Sequence, residues 1–230
     1  MKTNDMIVRQ AFDLMRKRNK GVHEVRLLNA AFEKERFIQT ITGYFDNADS
    51  LIEALQQVQS AQGVYITLNP VVDGLLARAN NRLVAAKDRP LTRDHEVARL
   101  QWLPIDIDPV RPAGISSSDH EHGGATRLMD EVVAYLKTSL GWSSPVIADS
   151  GNGAHALFPI DLPITEAPKI AAVLKELDKK FSTSAAKIDT TVFNPARIWK
   201  LYGTMACKGD SIPSRPHRMS RILEIPDDLS

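Results

Sequence analysis

Residues 99–108, Arg99-Leu-Gln-Trp-Leu-Pro-Ile-Asp106-Ile-Asp108, read as a strand, and the C-terminal half of the chain is organised around it. In a pleated strand alternate side chains share a face, so Leu103, Ile105 and Ile107 pack inward while Asp106 and Asp108 project together. Residues 109–124 are rich in Pro, Gly, Ser and His and predict a loop. Residues 126–140 predict a helix whose apolar stripe is Leu128, Met129, Val132, Val133, Leu136 and Leu140. Strands over 145–150 and 153–159 follow, joined through Gly151-Asn152, a dipeptide suited to a tight hairpin. Thr165 is the expected cap of a second helix, with Ile170, Val173, Leu174, Leu177 and Phe181 as its stripe. Residues 187–193, 197–202 and 221–225 read as extended.

Residues 99–203 therefore run β-α-β-β-α-β, the split unit of ferredoxin-like and RRM-like folds, which places the chain in the α/β (α+β) class. Upstream, a helix is expected over 4–18 with Met6, Ala11, Leu14 and Met15 on its apolar side. Strands are expected over 22–28 and 36–45, and Asp46 as the cap of a helix through residue 59 carrying Leu51, Ile52, Leu55 and Val58. A strand over 63–68 stops at Asn69-Pro70. The expected organisation is an N-terminal mixed α/β lobe, 1–98, packed with an RRM-like lobe, 99–230, as one domain. The order of elements hosts many functions, so function rests on the side chains.

The composition is that of an ordinary globular protein, with 43% hydrophobic and 25% charged residues in 230. No run approaches the ~18 apolar residues of a membrane helix, and the N-terminus lacks the apolar core of a secretory signal. The single cysteine, Cys207, excludes an internal disulfide and a cysteine-based zinc site. The expected setting is reducing and cytoplasmic, with no membrane association. The net charge of +1 is unevenly spread. Residues 193–223 hold Arg197, Lys200, Lys208, Arg215, Arg218 and Arg221 against Asp210 alone, a net +5 that leaves −4 for the rest. Arg78, Arg82, Lys87 and Arg89 form a second basic cluster, with Asp88 its one acid. Such stretches suit a local polyanion-binding surface, or are simply solvated faces.

Four groups of residues carry chemistry. In Asp106-Ile-Asp108 the Cα atoms are roughly 6 to 7 Å apart on one strand face, a spacing that can bracket two hard cations about 3.5 to 4 Å apart. Two such carboxylates repel unless a cation such as Mg²⁺ or Mn²⁺ neutralises them, although a lone pair of this kind is also common surface decoration. In Asp149-Ser150-Gly151-Asn152-Gly153-Ala154-His155 the glycines would let backbone N–H groups approach a phosphate, with Ser150, Asn152 and His155 adding polar contacts. No GK[ST] follows and a strand comes next, which excludes a P-loop or dinucleotide fingerprint; a plain hairpin with a satisfied histidine is the simpler reading. Lys187-Ile188-Asp189 would enter a fourth strand beside the first and bring Asp189 near Asp106 and Asp108, or Asp189 caps a turn. Finally, Arg197-Ile-Trp199-Lys200-Leu-Tyr202-Gly-Thr204 and Lys208 supply cations, with aromatics that stack a base or pack the core. Asp119-His120-Glu121-His122 is read as loop, in preference to a metal cluster or half of a nicking site.

Taken in this order, the motifs resemble those of the archaeo-eukaryotic primase superfamily, the primase-polymerases, over roughly residues 60–210. That family combines a strand-borne DxD, an S-G-x-G-x-H-like motif and a hydrophobic-Asp motif on an RRM-like half. Tyr65-Ile-Thr-Leu-Asn-Pro70 and residues 197–204 are similar to its plasmid, phage and mobile-element branch. The resemblance implies a DNA primase-polymerase that adds nucleotides to a templated 3′ end, possible initiation of chains included. Asp106, Asp108 and Asp189 would hold two divalent cations, Mg²⁺ or Mn²⁺. Ser150, Gly151, Asn152, Gly153 and His155, helped by Lys200 and Lys208, would hold the NTP or dNTP. Single-stranded DNA template and primer would lie near Arg78, Arg82, Arg197 and Arg215, and a helicase or helical accessory domain is an implied partner. Tyr65 and Tyr202 are the candidates for a gate against the 2′-hydroxyl. The competing readings are a non-catalytic RRM-like single-strand binder and a two-metal nuclease.

Overall fold

The computed structural model describes residues 1–17, 20–33, 37–87 and 89–229; the element ends read at residues 18 and 36, and Asp88, lie outside them. In chain order the elements are α1 (Asp5–Arg16), β1 (His23–Phe32), β2 (Gln39–Phe45), α2 (Ala48–Gln56), β3 (Val58–Ser60), β4 (Gly63–Thr67), β5 (Val84–Ala85) and β6 (Leu100–Pro109). They continue with α3 (Asp119–Leu140), β7 (Val146–Asp149), β8 (Ala154–Leu162), α4 (Ala167–Phe181), β9 (Ala186–Ile188), β10 (Ile198–Lys200), β11 (Met205–Ala206), β12 (Arg218–Met219) and β13 (Arg221–Glu224). The fold is α+β, with antiparallel sheets and helices packed on them.

The C-terminal sheet has the order β13-β7-β8-β6-β9. Within it the β6-α3-β7-β8-α4-β9 run is the split unit expected from the sequence. Its fourth strand lies beside its first, and its third strand lies on the first strand's other side. All of these pairings are antiparallel. The N-terminal sheet runs β10-β4-β1-β2-β5, with β3 also paired to β1. The buried side chains of the two halves are continuous: Phe12, Leu27 and Ile41 belong to the same cluster as Ile105, Leu128, Leu157 and Leu174.

Several expectations are corrected. The stretch 197–202 does not extend the C-terminal sheet. Ile198, Trp199 and Lys200 pair with Thr67, Ile66 and Tyr65, so β10 is an edge strand of the N-terminal sheet. The strand over 187–193 ends at Ile188, because Asp189 folds back on the Thr191 N–H (2.7 Å). Asn47, not Asp46, caps α2, accepting from Ser50 N, and the expected tail of that helix is β3 instead. Glu166, not Thr165, precedes α4, which carries a proline in its first turn. Leu140, placed in the stripe of α3, is half exposed at the helix end.

The largest correction is the start of α3. The Asp119–His122 segment is the helix's first turn, not loop. Ser118 caps it, its hydroxyl accepting from Glu121 N (3.2 Å) while Glu121 accepts from Ser118 N (2.8 Å). This reciprocal capping box satisfies two otherwise orphaned donors. Gly123 and Gly124 lower the local helix propensity, but the cap and the docking of Ala125, Leu128 and Met129 into the core outweigh them.

Candidate active site

The site forms where β6, β9 and the β7–β8 connection meet β4 and β10. A cleft of about 290 Å³ there is lined by Asp106, Asp108, Asp189, Ser150, Asn152, His155, Arg197, Lys200 and Lys208, together with Tyr65, Trp199 and Cys207. Residues spread over more than a hundred sequence positions thus converge on one wall.

The alternation of β6 sets the carboxylates. Ile105 and Ile107 are buried beneath the sheet, while Asp106 and Asp108 face the cleft. Pairing of Ile107 with Ile188 brings β9 alongside, and Asp189 N donates to the Asp106 carbonyl (2.8 Å). The third carboxylate is therefore held next to the first by the backbone. Its Oδ1 accepts from Thr191 N and Thr191 Oγ1, both at 2.7 Å, which leaves Oδ2 free of those bonds. Arg197 in turn donates to the Thr191 carbonyl and to its Oγ1 (3.3 Å). Burial, and after it the Asp106 charge, raises the pKa of Asp108, with Arg111 opposing. Arg111 Nη1 lies 3.4 Å from Asp108 Oδ1. The same burial and the same two carboxylates raise the Tyr65 phenol.

Carboxylate oxygens are hard donors, and two of these stand on one strand face, so the set suits a hard divalent cation. Among the described residues no group of three or more His, Cys, Asp or Glu side chains is gathered closely enough to hold a metal ion. Asp106, Asp108 and Asp189 all line the cleft, so a cation there would take two or three of their oxygens, with water and substrate oxygens completing its shell.

The β7–β8 connection is a self-bonded loop. Asp149 Oδ1 accepts from Gly151 N (2.7 Å), and Ser150 Oγ accepts from Gly153 N (2.9 Å) and Asn152 N (3.4 Å). The N–H groups of Gly151 and Gly153, expected to meet a phosphate, are spent inside the loop. What the two glycines supply is close approach. A Cβ on Gly153 would sit 2.2 Å from the Ile107 carbonyl oxygen, and Gly151 has φ +92°. The groups left for a ligand are side chains: the Ser150 hydroxyl proton, the Asn152 amide and the His155 ring.

His155 is only 4% exposed. Its ring packs on Trp199 with centroids 4.0 Å apart. Nδ1 meets the Tyr202 hydroxyl at 3.0 Å, and Nε2 lies 3.4 Å from Asp106 Oδ1. The Tyr202 hydroxyl also accepts from Trp199 Nε1 (2.8 Å). The sequence left Trp199 and Tyr202 open between stacking a base and packing; they pack, and both are buried. Tyr202 lies wholly beneath the surface and cannot meet a sugar, whereas Tyr65 lines the cleft.

Two lysines complete the wall. Lys200 is buried with its Nζ donating to the Met205 carbonyl (2.7 Å) and lying 5.6 Å from the Tyr65 ring centre. Burial lowers its pKa to about 7; Cys207 acts against the shift, and Lys208 adds to it. Lys208 lines the cleft rim.

Other predicted residues stand apart. Arg78 pairs with Glu96 and packs over Tyr44, and Arg82 is exposed; neither lines the cleft. Arg215 binds both oxygens of Glu121, at 2.7 and 2.8 Å, which holds the Glu121 pKa down at about 2. The basic stretches are thus partly consumed by internal ion pairs. Sequence reasoning missed Arg111 against Asp108 and Ser117 against Asn152. Both come from the irregular segment before α3, whose path no periodicity reveals. No helix among the described residues is long and apolar enough to cross a membrane.

No family model matches the chain, and no curated protein does. Among solved structures, the polymerase domain of Mycobacterium tuberculosis ligase D in complex with DNA aligns with a TM-score of 0.45 and 14% identity, over 89% of this chain and 80% of that one.

Proposed function

We propose that this protein is a template-directed nucleotidyltransferase of the primase-polymerase type, working on DNA with NTP or dNTP substrates and a divalent cation, Mg²⁺ or Mn²⁺. The observation that carries the reading is the composition of one cleft. Asp106, Asp108 and Asp189 line it together with Ser150, Asn152, His155, Lys200 and Lys208, and His155 Nε2 lies 3.4 Å from Asp106 Oδ1. A nucleoside triphosphate with its cation matches this mixture, an anionic chain bridged by positive charge.

Asp106, Asp108 and Asp189 are the residues that would hold the cations. When bound, these would neutralise the carboxylates and stabilise charge on the transferring phosphoryl group. The protein's own part is positioning and electrostatics. The Ser150 hydroxyl and the Asn152 amide donate to phosphate oxygens. Lys200 and Lys208 offset the triphosphate charge, and His155 stands between the carboxylates and the phosphates with its ring fixed by Tyr202. Arg197 acts through Thr191 to hold Asp189. Template and primer lie across the open side of the cleft, and the two halves of the chain work as one unit.

The competing readings fit less well. A single-strand binder of the RRM type stacks bases on exposed aromatics, but Trp199 and Tyr202 are buried. A nuclease has use for the carboxylates and none for the two lysines and the polar loop beside them. The test is incorporation of labelled nucleotides on circular single-stranded DNA with Mg²⁺ or Mn²⁺, with and without an annealed primer. Product with a primer supports the reading, and product without one adds initiation. DNA binding with no product under any condition would favour the binding module.

A further inference from the structure

We infer that Arg218 is a positioning residue of the phosphate-binding corner, acting through Ser117 to hold Asn152 with its amide N–H groups turned into the cleft. The inference rests on the nucleotide-binding reading above and adds residues that no motif contains.

Asn152 is buried at the cleft wall, and its Oδ1 accepts from Ser117 N (2.9 Å) and from Ser117 Oγ (3.4 Å). A backbone N–H can only donate, so the oxygen end of the amide is fixed on Ser117 and the Nδ2 end is left as the free donor pair. An anion in the cleft then meets N–H groups; the flipped amide would present a carbonyl oxygen to it.

Ser117 belongs to no helix or strand, so its own position needs a support. Arg218 supplies it. Nη1 donates to the Ser117 carbonyl (2.8 Å) and meets Ser117 Oγ (3.2 Å), while Nη2 donates to Asp119 (2.6 Å). Arg218 stands on β12, whose partner strand β11 pairs it with Ala206, itself a cleft residue. The chain thus closes a loop from cleft wall to Arg218 to Ser117 to Asn152 and back to the cleft. The same segment also steadies Lys208, since Ser116 Oγ donates to the Lys208 carbonyl (3.1 Å).

In the sequence Arg218 is one more cation in a basic run. Its geometry makes it a strut in place of a contact to the DNA backbone, and the two roles separate experimentally. Arg218→Ala is expected to raise the nucleotide KM about tenfold, the lower end for residues that orient a ligating group, with kcat within about twofold. Arg218→Lys retains one donor for the Ser117 carbonyl and should recover part of the loss. Asp119→Ala removes only the exposed partner and should leave KM unchanged. Asn152→Asp keeps the acceptor for Ser117 but turns a carboxylate oxygen to the phosphates, so it should cost at least as much as Arg218→Ala, including if that variant folds poorly.

Calorimetric titration of the wild-type chain with ATP and dATP in Mn²⁺ separates the levels of failure. If neither nucleotide binds, the nucleotide reading falls and this inference with it. If the wild type binds and the Arg218 variants match it, only this inference falls. A loss of single-stranded DNA affinity in Arg218→Ala, with the salt slope reduced by about one, would make Arg218 a phosphate contact on DNA and overturn the positioning role.

Discussion

Removing one buried oxygen atom, in Tyr202→Phe, should loosen both the core and the site. The Tyr202 hydroxyl accepts from the indole N–H of Trp199 (2.8 Å), so its own proton is directed to His155 Nδ1 (3.0 Å). That assigns the proton of the neutral imidazole to Nε2, the nitrogen 3.4 Å from Asp106 Oδ1. Phenylalanine fills the same volume but leaves a buried indole N–H and a buried ring nitrogen unpaired. The cost is about 2–3 kcal/mol, which for a chain of this length lowers Tm by roughly 5–10 °C. The nucleotide KM should rise as well, because the ring is no longer held in one tautomer. Calorimetry measures the first effect. Nitrogen-detected NMR of the histidine ring measures the second, with Nε2 protonated in the wild type. An unchanged Tm, or a wild-type ring protonated on Nδ1, would refute this account of the Trp199–Tyr202–His155 chain.

Other consequences follow from buried charge. Burial lowers the His23 pKa to about 4 from 6.5, opposed by its bond to the Thr67 carbonyl. The folded chain therefore refuses a proton that the unfolded chain takes up below 6.5, and stability falls between pH 6.5 and 4 by on the order of 3 kcal/mol. His23→Gln should show a shallower acid loss in urea titrations, and an identical loss would count against this assignment. Lys200, lowered by burial to about 7, should lose its charge between about pH 6 and 8, raising the nucleotide KM; in Lys200→Arg, charged throughout, that rise should be absent. The raised Asp108 pKa means that the ionised form is disfavoured in the folded chain above its titration. Asp108→Asn should accordingly leave Tm at pH 7 undiminished while abolishing nucleotide addition, and a clear fall in Tm would count against the shift.

The convergence of the three carboxylates on one cleft was legible because it depends on local alternation. Asp106 and Asp108 share a face in any strand, and a split β-α-β-β-α-β unit puts its fourth strand beside its first, which brings Asp189 to Asp106. What the sequence hid is non-local. Pairing of Trp199 with Ile66 crosses between the halves, and nothing in residues 197–202 distinguishes the edge of one sheet from the edge of the other. Gly151 and Gly153 misled for a related reason: their N–H groups were expected to meet a phosphate, whereas Asp149 and Ser150, in the same motif, already occupy them. The start of α3 could have been found, since Ser118-x-x-Glu121 is a capping-box signature standing in a Ser- and Gly-rich stretch. The fates of Arg78 and Arg215, paired with Glu96 and Glu121, required the tertiary structure.

The central claim is that the three carboxylates and the polar loop beside them form one site for a nucleotide and its cation. Its most direct measurement is calorimetric titration of dATP and ATP into the protein with and without Mn²⁺, repeated on Asp106→Ala/Asp108→Ala. The account predicts that binding requires the cation, that the double variant abolishes it, and that the variant stays folded, since both side chains face the cleft. Binding of equal strength without the cation, or undiminished in the double variant, would contradict it.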